Sequence, residues 1–178
     1  MPRTRVAKFS QNKQSLKKEN KMTYDSTIDT LKHIKRVNEL LLGFAQELIE
    51  RAKIHDDSKL LEPEKSAFDI ATPKLAGLTY GSEEYKAALA DLGKALAHHY
   101  QHNTHHPEHY SEGIIGFDLL DLVEMFFDWW AATERHNDGD LRKSIEKNQS
   151  RFKYSDDLKA ILDNTAENFG YEPKQEQK

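Results

Sequence analysis

The chain has no cysteine, which excludes disulfides, a thiolate nucleophile, cysteine-ligated zinc and iron–sulfur clusters. Any metal must therefore be held by His, Asp and Glu. Long apolar runs are also missing: no stretch approaches the roughly 18 residues of a membrane span, and the opening MPRTRVAKFSQ has no apolar core of a leader. A cytoplasmic protein with no membrane partner is expected. Eight glycines and five prolines in 178 residues are too few for a collagen or a Gly-rich barrel. No segment alternates convincingly as a strand, and no Walker loop, GxGxxG, GxSxG or HExxH motif occurs.

What remains is 37% hydrophobic and 31% charged residues, a composition suited to one hydrated domain of ordinary size. Residues 1–22 hold seven basic residues against Glu19 alone, a charge of +6 that leaves −10 for the remainder. This segment reads as a solvated basic arm, with contact to nucleic acid as the alternative. Such a contact is expected to collapse as salt rises and to vanish when residues 1–22 are deleted; binding that survives the deletion would refute it.

From Ser26 onward the apolar residues recur at steps of three and four, from Ile28 through Leu31, Ile34, Val37 and Leu41 to Phe44 and Leu48, the period of one helix face. Ser26 with Asp29 predicts a capping box, and HDDS at 55–58 ends the segment. Helices are expected at 62–71, 82–102, 117–135, 140–150 and 156–168, with 72–81 as a loop and Gly170 as a stop. The fold class is all-α: six or seven helices in one bundle over 23–170, with a polar tail at 171–178. The block FFDWW at 126–130 is expected to be core more than a stacking platform.

Six of the nine histidines fall between positions 98 and 109. Helical spacing lets His99 and His102, or His98 and His102, converge, and imidazole suits zinc, iron, copper and nickel. His55-Asp56 adds two ligand types at a helix end. Asp118, Asp121, Glu124 and Asp128 interrupt an otherwise apolar helix, where carboxylates are costly unless exposed, paired or metal-bound.

The order His33, His55-Asp56, histidines near 99 and 106, then Asp128 resembles the H…HD…H…H…D constellation of HD-domain metal-dependent phosphohydrolases. HDDSK at 55–59 is similar to the HDxGK motif, HHPEHYSEG at 105–113 to the HHE…DG segment of the HD-GYP branch, and FFDWWAATERH to its terminal-Asp helix. The GYP tripeptide is absent. The chain also resembles a small phage- and bacterium-borne family of unknown function over most of 23–168. The first resemblance implies an HD-like bundle and divalent cations (Mn, Fe, Zn, Mg or Co) on His33, His55, Asp56, His99, His106 and Asp128. It further implies Lys59 and Arg135 as phosphoryl contacts, proton transfer by Asp57, Glu62 or Glu64, and a small phosphorylated substrate such as a nucleotide. Alternatives are a di-iron oxygenase and a non-enzymatic helical module sequestering a nucleotide or a host protein. His33 can join only if the chain reverses near Gly43, because 22 residues of unbroken helix span ~33 Å.

Overall fold

The computed structural model describes residues 24–79, 82–90, 92–135 and 139–172. The basic arm, the Asn137-Asp138 turn, Tyr80, Gly81 and the end of the polar tail lie outside the described residues. Seven helices and no strand are found among those described: α1 (Thr27–Ile54), α2 (Glu64–Leu75), α3 (Glu83–Ala90), α4 (Gly93–His102), α5 (Leu119–Glu134), α6 (Leu141–Phe152) and α7 (Asp156–Asn168). Single 3-10 turns occupy Asp57–Leu60, Pro107–His109 and Gly113–Gly116. The all-α class is as expected, and no described helix is long and apolar enough to cross a membrane.

The described residues form two units whose boundary falls between Leu40 and Leu41, inside α1. In the first, Asp25 and not Ser26 supplies the cap: its Oδ1 accepts from the Thr27 N–H at 3.0 Å and the Thr27 hydroxyl at 2.6 Å. Asp29 instead engages Tyr24 and Lys32. The helix runs unbroken through Gly43, so the reversal that His33 required does not occur.

In the second unit, α5 has two faces. Met125, Phe126 and Trp129 pack with Leu141 and Ile145 of α6 and Leu162 and Ala166 of α7, closed by Tyr154. Trp129 stacks on Phe152 with ring centroids 6.1 Å apart, so this indole is core. Each such large apolar side chain contributes roughly 1.5–3 kcal/mol on burial. Asp121, Glu124 and Asp128 occupy the other face at helical spacing. Asp118 is not a site acid. It caps α5, accepting from Leu120 N–H at 2.7 Å and Asp121 N–H at 2.9 Å, while the Asp121 side chain accepts from Asp118 N–H.

Two helix boundaries differ from expectation. α2 continues to Leu75 through Pro73, because a proline in the last turn forfeits only one helical bond. The stretch 82–102 is two helices, with Gly93 at φ 45°, outside the right-handed helical region, where α4 begins. Gly139 is fixed by packing: a Cβ there would lie 1.8 Å from the Thr133 carbonyl oxygen. Gly139→Ala is expected to lose about 2–3 kcal/mol, a fall in melting temperature of about 5–10 °C. An unchanged melting curve would refute this close approach.

Candidate metal centre

Four segments deliver the site. The last turn of α1 and the bend after it carry Arg51, His55 and Asp56; the start of α2 carries Glu64; α4 and the following loop carry His99, Asn103, Thr104, His105 and His106; α5 carries Asp121, Glu124 and Asp128. Asp56 sits at φ 60° as the chain leaves α1, a backbone state that favours Gly, Asn and Asp. That bend turns its carboxylate inward beside His55.

Two groupings bring ligand atoms within 4.8 Å of one another: Asp56, His99, His105 and His106, and His55, His105 and Asp128. Asp56 Oδ1 lies 3.3 Å from His99 Nε2 and 3.6 Å from His105 Nε2, while its Oδ2 lies 3.5 Å from His55 Nε2. His99 and His106 approach Nε2 to Nε2 at 2.9 Å. Asp128 Oδ1 is 3.7 Å from His55 Nε2.

Behind these atoms stand two carboxylates. Glu64, fully buried, meets His99 Nδ1 at 2.9 Å through Oε2 and His98 Nδ1 at 2.7 Å through Oε1. Glu124 Oε1 meets His55 Nδ1 at 2.9 Å and His105 Nδ1 at 3.2 Å, while its Oε2 accepts from Arg51 at 3.2 Å. A carboxylate on Nδ1 keeps the proton there and leaves the Nε2 lone pair for a cation. Ser58, donating to Glu64 at 3.0 Å and accepting from Asn103 at 2.8 Å, fixes the loop against α2.

The electrostatics follow. The carboxylates of Asp128 and Glu124 push His55 up to about 10, with burial acting the other way. Burial, with His105 and His99 as neighbours, pushes His106 down to about 3. Burial alone would raise Asp56, but the neighbouring His99 imidazole and the Lys59 ammonium hold it far below the carboxylate range. Burial likewise opposes ionisation of Glu124, yet its bonds to His105 and His55 keep it low.

Of the expected ligands, His55, Asp56, His99, His106 and Asp128 converge. His33 does not: it is exposed on α1 in the first unit and belongs to neither grouping. Lys59 reaches Asp56 Oδ2 and lies 5.3 Å from the Phe68 ring centroid. Asp57 is exposed at the start of its 3-10 turn, and Arg135 is exposed at the end of α5, about two turns beyond Asp128. Neither has a described bond to the cluster. Glu62 bonds Ser66, and Glu64 is committed to two imidazoles. His98 and His102 stack on each other at 3.9 Å outside the centre, and His109 bonds the Tyr100 carbonyl. The residues that spacing alone missed are His105, adjacent to the expected His106, and Arg51. The signal for Glu124 was present as its four-residue step to Asp128 on an apolar helix.

A family model matches residues 22–168. The chain belongs to the family of unknown function DUF5662. No curated protein and no solved structure matches it. In this DUF5662 member the matched span contains every residue that converges at the centre.

Asp121 anchors the whole arrangement. Barely 1% exposed, it accepts from Arg51 at 2.7 Å, Thr104 at 2.6 Å and Tyr110 at 2.8 Å, tying α1 and the histidine loop to α5. Burial opposes its charge, but the bonds from Thr104 and Arg51 hold its carboxyl below the usual value. A lowered folded value stabilises the fold above the unfolded carboxylate range of about 4, and that stability is lost as pH falls through the folded value. Asp121→Asn is expected to cost about 2–3 kcal/mol at neutral pH and to flatten the acid limb of the stability curve. Identical acid unfolding of variant and parent would contradict the anchoring role.

Proposed function

We propose that the chain is a metal-dependent phosphohydrolase acting on a nucleotide or related phosphate ester, with its cation on Asp56, His99, His105 and His106 and with His55 and Asp128 alongside. The observation that carries the metal is a pair of orphaned atoms. Asp56 Oδ1 and His105 Nε2 are buried, lack any hydrogen-bond partner and lie 3.6 Å apart. Leaving two buried polar atoms unpaired costs a few kcal/mol, and a cation between them removes that cost.

The donor set fits. Several imidazoles with carboxylate suit manganese, iron, cobalt or zinc better than magnesium, which prefers oxygen. Arg51 and Lys59 are the two permanent cations against the carboxylates of Asp56, Glu64, Asp121, Glu124 and Asp128, an imbalance that a divalent ion offsets. The four-donor grouping suffices for one ion, and His55 with Asp128 extends the site toward a second.

When bound, such an ion acidifies a coordinated water to a pKa of about 7 and draws charge from a phosphoryl oxygen. Lys59, bonded to Asp56, would stand beside the cation as the ammonium nearest to substrate oxygens. Glu64 and Glu124 orient the rings of His99, His55 and His105 through their Nδ1 atoms. The phosphoryl chemistry rests on the likeness of HDDSK and the Asp128 helix to the HD-domain hydrolases. The cytoplasmic setting is part of the same reading.

Elemental analysis of the purified protein is expected to find at least one equivalent of a transition metal per chain, with turnover of nucleoside phosphates when that metal is supplied. Asp56→Ala and His105→Ala should lose the metal and at least about a hundredfold in rate, whereas His33→Ala keeps both. No metal above background, or unchanged turnover in Asp56→Ala, would overturn the proposal.

A further inference from the structure

The first half of α1 exposes an apolar face that nothing among the described residues covers. Ile28, Leu31, Ile34, Leu41 and Leu42 are each 56–64% exposed, and Ile49 is 51% exposed further along; Leu40, 56% exposed, lies on the opposite side of the helix. No residue of the helix is fully buried. An isolated amphipathic helix of this length is marginal in water, because most helical stability in proteins comes from packing of the apolar face. Roughly 100 Å² from each of the six side chains on that face gives about 600 Å², the lower end of the ~600–1,000 Å² per partner of a specific interface.

We propose that a second copy of the chain covers this face, α1 packing antiparallel on α1 about a two-fold axis near residues 36–37. The evidence is the spacing. Tyr24, Ile28, Leu31, Lys35, Asn38, Leu42, Ala45 and Ile49 follow a 4-3 heptad seam. Antiparallel, the seam matches itself layer by layer: Leu31 meets the second copy's Leu42, Ile28 its Ala45 and Tyr24 its Ile49. The two polar positions also meet, Lys35 on Asn38, which fixes the register.

The flanks agree. On one side Ile34 lies against Leu41 of the second copy. On the other Lys32 lies against its Glu39, opposite charges at the positions that set partner choice. Glu39 is exposed and sits in a basic stretch, 3.3 Å from Arg36 and 3.8 Å from Lys35 of its own helix. A parallel pair would instead put Lys35 on Lys35, which is repulsive. The basic arm is a poor rival occupant. Residues 1–22 offer few large apolar side chains, chiefly Val6, Phe9 and Leu16, against a face of six.

Sedimentation or light scattering of the full chain at micromolar concentration is expected to give twice the 20.6 kDa of one chain. Leu31→Glu and Leu42→Glu should each weaken dimerisation by at least about a hundredfold while leaving helical content and bound metal intact. Because the chain is cysteine-free, orientation can be read directly. A Leu31→Cys chain mixed with a Leu42→Cys chain should form a disulfide with oxidised glutathione, and Leu31→Cys alone should not. A 20.6 kDa species, a dimer indifferent to both glutamate variants, or cross-linking of Leu31→Cys to itself would each overturn the proposal.

Discussion

Two glutamates, Glu64 buried and Glu124 half-buried, orient the imidazoles of the candidate centre from their far side. Glu64 and Glu124 take the Nδ1 side of His99, His105 and His55, so the Nε2 side of each ring faces one space shared with Asp56. Carboxylates are expensive to bury, and they are tolerated here because each bonds several partners at once. Glu64 serves two histidines and Ser58, while Glu124 serves two histidines and Arg51. This scaffold fixes ring orientation before any ligand arrives, so little ordering is left for binding.

Helix α5 makes the arrangement affordable. One stripe of it supplies Met125, Phe126 and Trp129 to the core with α6 and α7, and that apolar packing holds the opposite stripe of three carboxylates in place. Asp121 then pins Arg51, Thr104 and Tyr110 to the same helix. The loop 103–110 that carries His105 and His106 has only the 3-10 turn at Pro107–His109 as regular structure and is positioned by side-chain bonds to the neighbouring helices. Fold and site thus share one element, and damage to the carboxylate stripe reaches both.

Much of the fold was legible because helical period, caps and stops are local. The α5, α6 and α7 segments follow from apolar spacing and the Gly170 stop. The division of 82–102 was not legible, since Gly93 is tolerated within helices and only its φ reveals the break. His55, Asp56, His99, His106 and Asp128 could be singled out by residue type. Choosing among six clustered histidines could not be done by spacing, because the turn after Asn103 leaves helical geometry and brings His105 and His106 inward together while His102 stays outside. His33 and Arg135 matched a pattern in order along the chain. An unbroken α1 and an exposed helix end keep them out.

The X-ray absorption spectrum of the metal-loaded protein tests the convergence of imidazoles most directly, because ring nitrogens on a metal give a characteristic multiple-scattering pattern. Backscattering from at least three imidazoles together with carboxylate oxygen is expected, falling when His105 is replaced. A first shell of water and carboxylate oxygen alone would contradict the proposed centre.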